Sequence, residues 1–271
     1  MHPAPLTGQK VSERPAAHDG PMPIDHPDTD HPDTDHLDTD HLGTDHPDTG
    51  PFEAFEAAGW ERQAAGYDAF FRSVTTAAVG ALLDAAGVRG GTRLLDVGTG
   101  PGYVAGAAIT SGFAILHLGR PERAVAEMVR VLVPGGRLAV TVWDQPERVP
   151  LLGAVAAALA AAGADVPDDI PAGPPFFRFS QDDELRGLLA GRGLGDVTVE
   201  TVRFVHEVRD AGVVWDGIME GTVRTSALVV RQPEATRRRI RAAFVELLEG
   251  YRVGSVLELP VSVKLGVGTA S

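Results

Sequence analysis

The sequence predicts an α/β fold, with helices on both faces of a largely parallel sheet. Three observations carry that expectation. From Pro51 onward, segments with helical spacing alternate with short β-branched runs. One of those runs, Leu94–Val97, passes directly into "GTGPG", the kind of turn that joins a strand to a helix. Gly and Pro clusters then mark most of the element ends.

Taken in order, helical spacing covers Phe52–Tyr67 and resumes over Ser73–Ala86, where Val74, Ala78, Ala81, Leu82 and Ala85 share one face. Gly87 and the Gly90-Gly91 pair close it. Arg93–Val97 is a strand, and Phe113–Leu118 reads as a second, with Ala107–Gly112 as the alternative placement. Pro121 suits the first turn of a helix lined by Val125, Met128, Val129 and Leu132. After the Pro134-Gly135-Gly136 turn, Arg137–Trp143 is rich in β-branched and aromatic residues and predicts a strand. Leu151–Ala162 is an apolar helix, and Asp182–Gly191 is a short one leading into a strand at Val197–Val205. Helices follow around Val214–Val230 and Glu234–Tyr251, and Glu258–Leu265 is a last strand. In the final helix Arg237, Arg238, Arg239 and Arg241 fall mainly opposite the apolar stripe, as a solvated face does.

Charge is unevenly spread. Of the net −13, residues 1–50 carry −9, leaving −4 for the other 221 residues. A near-neutral domain lacks the basic face that nucleic acid requires. There is no cysteine, which excludes disulfides, thiolate metal sites and thiol nucleophiles. The most apolar stretch, Leu151–Ala162, is too short to span a bilayer. No basic-then-apolar leader pattern is visible, and a soluble, cytoplasmic protein without a membrane partner is expected.

Residues 25–49 are five copies of a five-residue DHPDT-like unit. The period is too short for a stacking repeat and the composition too polar to offset its ordering entropy, which predicts a disordered tail over residues 1–50 and one domain over 51–271. Seven of the nine histidines lie in the tail. Weak divalent capture competes there with a tandem expansion tolerated in a solvated segment. The second reading is preferred because no copy has the spacing of a closed metal site.

The motif Asp96-Val97-Gly98-Thr99-Gly100-Pro101-Gly102 permits a tight turn and close backbone approach to a ligand. A dinucleotide fingerprint wants its third glycine where Tyr103 stands, so hydride transfer from a nicotinamide is disfavoured. The chain resembles the class I S-adenosylmethionine-dependent methyltransferases, particularly the small-molecule "type 11" group. The resemblance rests on "GWERQAAGYDAFF", "LLDVGTGPGY", "SGFAILHLGRPERAVAEMVRVLVPGGRLAVTVWD" and "FFRFSQDDELRGLLAGRGLGDVTVETVRF". It implies a Rossmann-like methyltransferase sheet with S-adenosyl-L-methionine as cofactor. Asp96, Gly98, Thr99, Gly100 and Gly102 would hold the methionine end, and Tyr67 would help cover it. Phe113 and Trp143 would border a small-molecule substrate, with residues 150–196 and 206–256 on the substrate side. His117 is the candidate general base, weighed against a structural imidazole beside an apolar strand.

The chain departs from that family after "GYVAGAA". About 40–50 residues, the size of two strand–helix units, are missing before "ITSGFAILHL". No carboxylate occurs between Asp96 and Glu122, and Glu122 follows Pro121 in a first helical turn, where the macrodipole accounts for it. The expectation is therefore a sheet lacking its second and third strands, with Leu94–Val97 exposed as an edge that invites a homodimer. Two functions stand side by side: methyl transfer to a small-molecule acceptor, or a degenerate, inactive fold acting as a binding module or left by an internal gene deletion.

Overall fold

The computed structural model of the chain describes residues 49–100 and 109–271. The chain divides into two units, Met1–His46 and Pro47–Ser271, and all described residues belong to the second. The repeat tail and Gly102 lie outside them.

Among the described residues, an open six-stranded sheet is flanked by helices on both faces. Its strands are β1 (Leu95–Asp96), β2 (Ile109–Gly112), β3 (Arg137–Trp143), β4 (Leu194–Val208), β5 (Arg252–Val253) and β6 (Val256–Ala270). The spatial order is β1-β2-β3-β6-β4, with β5 paired to β6. β1, β2 and β3 are mutually parallel, and β6 runs antiparallel between β3 and β4. The sheet is thus mixed, because the 15-residue β4 and β6 are both long and pair antiparallel over most of their length.

The helices are α1 (Gly50–Thr76), α2 (Val79–Ala85), α3 (Pro121–Arg130), α4 (Pro150–Ala161), α5 (Asp182–Ala190), α6 (Ala211–Gly221), α7 (Arg224–Val230) and α8 (Glu234–Glu249). Strand alternation assigns the two sheet faces. Ala139, Leu265 and Val267 bury Leu82 of α2 and the following Ala86 on one side. On the other, Gly266 lies beneath Leu185 and Leu189 of α5, where a Cβ would come within 2.9 Å of Leu189. Leu138, Val140 and Val142 are fully buried, and each contributes about 1.5–3 kcal/mol of burial free energy. α1 docks on α6, and Gly66 allows the contact: a Cβ there would stand 2.1 Å from the Glu220 carbonyl oxygen.

A buried ionic cluster joins β6 to the start of α5. Lys264 is only 5 % exposed, with Nζ 2.7 Å from Asp182 and 3.7 Å from Asp144. Asp144, fully buried just past β3, also accepts from Ser262 Oγ (2.7 Å) and the Gln145 amide (2.8 Å). Burial pushes the Asp144 carboxyl up, but Ser262, Gln145, Arg148 and Lys264 together hold it below its ordinary value.

Several expected boundaries move. The first helix runs unbroken to Thr76. The first strand shortens to two residues. Phe113–Leu118 is not a strand: β2 ends at Gly112, Phe113 turns left-handed at φ 58°, and Ile115–His117 forms a 3-10 turn. The expected helix over Val214–Val230 divides because Thr222 is extended. Its hydroxyl accepts from the Ser226 amide at 3.1 Å, which starts α7 afresh.

Candidate functional site

The site lies at the carboxyl ends of β1, β2 and β3, where ligands bind in open α/β sheets. β1 delivers Asp96 into the glycine turn. Gly98 has φ 73°, and a Cβ on it would stand 2.4 Å from that of Ala114. Any side chain at Gly98 would therefore push the turn away from the sheet.

A cavity of about 60 Å³ lies against this turn on the α2 side of the sheet. Its lining includes Tyr67, Asp96, Gly98, Thr99, Gly100 and Phe113. Every described residue assigned to cofactor binding from sequence thus meets in one place. Asp96 Oδ1 accepts from Thr110 Oγ1 at 2.9 Å. Its other oxygen, and the hydroxyl of Thr141 on the same wall, are buried without a hydrogen-bond partner among the described residues. Buried polar atoms are rarely left unpaired, so these two mark a place for a polar guest. Tyr67 closes the cavity from α1, stacked on Phe71 at 5.1 Å. Burial raises its phenol to about 12, with the Thr75 hydroxyl partly opposing that shift.

Behind Phe113 and Tyr67, which line both spaces, is a second cavity of about 30 Å³ with aromatic walls. Phe113 stacks on Trp143 at 4.2 Å, and both are buried. His117 and Trp60 also face this chamber, their rings edge to face at 4.9 Å. His117 Nδ1 is 3.1 Å from Glu56 Oε2, and Trp60 Nε1 donates to that same oxygen at 3.0 Å. An ionised carboxylate only accepts, so this contact requires a proton on Nδ1. Arg224 completes the polar wall: it donates to the Pro174 carbonyl at 2.8 Å, and burial lowers its basicity while the Glu56 charge opposes that.

Sequence reasoning missed Glu56, Trp60 and Arg224. A signal existed for Glu56, which lies four residues after Phe52 and four before Trp60, a carboxylate inside an aromatic helical stripe. Glu122 pairs with Arg178 and is not among the residues lining either cavity. Both cavities are far below the 300–1,000 Å³ of ordinary small-molecule sites, so a nucleoside-sized guest requires the walls to part. Among the described residues no cluster suits a metal ion, and no helix is long and apolar enough to cross a membrane.

No protein-family profile and no curated protein sequence matches the chain. Among solved structures, it is similar to a candidate methyltransferase of Bacillus halodurans, at 15% identity and TM-score 0.38, over 71% of this chain and 98% of that one. It is also similar to the YcgJ protein of Bacillus subtilis, at 14% identity and TM-score 0.39, over 72% and 98% of the two chains.

Proposed function

We propose that the chain is a class I methyltransferase that uses S-adenosyl-L-methionine to methylate a small-molecule acceptor. The observation that carries this reading is the pair of unpartnered buried groups, Asp96 Oδ2 and Thr141 Oγ1, in a cavity formed by Tyr67 and the glycine turn. An ammonium group supplies the donors these atoms lack, and the open backbone of the glycine turn suits an adjacent carboxylate. The residues therefore fit the methionine end of the cofactor. Among the described residues Asp96 is the only acid lining the cavity, so none of them offers a second carboxylate for the ribose, and the expected affinity is weak.

When bound, that cofactor supplies a methyl group on a sulfonium. The protein's part is alignment: Phe113 separates the two cavities, and the aromatic walls hold the acceptor dry behind it. His117, held through Nδ1 by Glu56, is the base proposed to take a proton from the acceptor at Nε2.

Calorimetric titration of the full chain with S-adenosylhomocysteine tests the reading. Binding that weakens in Asp96→Asn is the expected result. No heat and no thermal shift at millimolar ligand would overturn it.

A further inference from the structure

We infer that the outer edge of β4 is a homodimer interface, pairing antiparallel with β4 of a second copy about a two-fold axis at Val205. The sheet ends at β1 on one side and β4 on the other. β1 offers two residues, too few for a stable ladder, whereas β4 is a 15-residue strand that, among the described residues, pairs only with β6. A register shift between Gly195 and Thr198 disrupts the start of β4, leaving 198–208 as a regular edge.

The side chains there are incomplete without a partner. Val205 is 57 % exposed, with Arg203 and Glu207 exposed beside it on the same sheet face. Neither charged group has an ion-pair partner among the described residues. Glu207 lies directly opposite Glu258 in the β4–β6 ladder, a like-charge pairing that is destabilising.

A two-fold axis perpendicular to the sheet preserves faces, so facing residues must share parity. Centred on Val205, it sets Val205 against its copy, Arg203 against Glu207 twice, and Val202 against Val208. This is the one such register that opposes Arg203 to a carboxylate, and it brings a guanidinium to the Glu207–Glu258 pair. Centring on Arg203 instead would set two guanidiniums face to face. The occupant is therefore another copy of this chain, specified by its own charge pattern.

The test combines sedimentation velocity on the full chain with engineered cross-linking. The wild type is expected to dimerise, with Arg203→Glu or Glu207→Arg raising the dissociation constant about tenfold or more. The double swap Arg203→Glu/Glu207→Arg should restore dimerisation. Because the chain has no cysteine, Val205→Cys alone should oxidise to a cross-linked dimer, and Leu95→Cys at the opposite edge should not. A monomer at all concentrations, a dimer indifferent to both reversals, or cross-linking at Leu95 in place of Val205 overturns the proposal. If a charge reversal unfolds the chain, the Val205→Cys result decides.

Discussion

His117 Nδ1 and Glu56 Oε2 stand 3.1 Å apart although 61 residues separate them, and Trp60 holds the same carboxylate oxygen from one helical turn away. Glu56 is 4 % exposed, so the carboxylate is committed to these two donors. In the proposed reaction this pair would orient the imidazole as the base. In a coupled methyl-transfer assay with an acceptor that must lose a proton, His117→Ala is expected to lower kcat about 10²- to 10⁴-fold, with cofactor affinity unchanged. Glu56→Gln should lower kcat less than His117→Ala. Loss of cofactor binding in His117→Ala would instead place that ring in the cofactor site.

Asp96 combines one satisfied oxygen with one unsatisfied. Asp96→Asn can keep the bond from Thr110 while losing the charge, so folding should be little changed in urea titration. Affinity for S-adenosylhomocysteine should fall about 10- to 100-fold, the value of one charge-assisted hydrogen bond. Equal affinity in the two proteins would remove Asp96 from the site.

Tyr67 is a spectroscopic reporter. Its phenol titrates near 12, above the ordinary value of 10, because burial disfavours the phenolate. A folded pKa raised above the unfolded one contributes stability that is fully present below pH 10 and lost as pH climbs toward 12. The total is about 3 kcal/mol by the usual conversion. Of the three tyrosines, one should ionise last in absorbance titration, and Tyr67→Phe should delete that step.

The Lys264 cluster tests the sheet. Lys264→Met removes a cation from beside Asp144 and Asp182 and should cost about 3 kcal/mol in denaturant unfolding. Asp144, held below its ordinary value, contributes stability that is present above about pH 4 and lost as pH falls through its folded pKa. Ser262→Ala should weaken that contribution and flatten the acid limb of the stability profile.

What the sequence revealed follows from the range of the interactions involved. β3 was legible because Leu138–Trp143 is strand-like by itself. β4 and β6 proved longer than expected because Gly195, Asp196 and Glu207 in the one and Gly266 and Gly268 in the other argue locally against strand, and only the pairing of one long strand with the other keeps them in it. In the site, Tyr67, Asp96 and Gly98 were readable from a contiguous motif and the helix before it. Glu56 and Arg224 were not, because their partners come from distant elements. The left-handed Phe113 was hidden for another reason: no composition signal marks a bulky residue held at positive φ.

The position of β1 as the outermost strand has a consequence for engineering. Among the described residues no strand pairs with the outer side of the strand that carries the glycine turn, and Leu95 is half-exposed at that margin. Two strand–helix units spliced between Gly100 and Ile109 would enter the sheet from this open side, and no connection downstream of β2 would need re-threading. The fold is thus a ready recipient for a transplanted nucleoside-binding module, and a chimera of this kind would gain ligand affinity while keeping the β4–β6 framework intact.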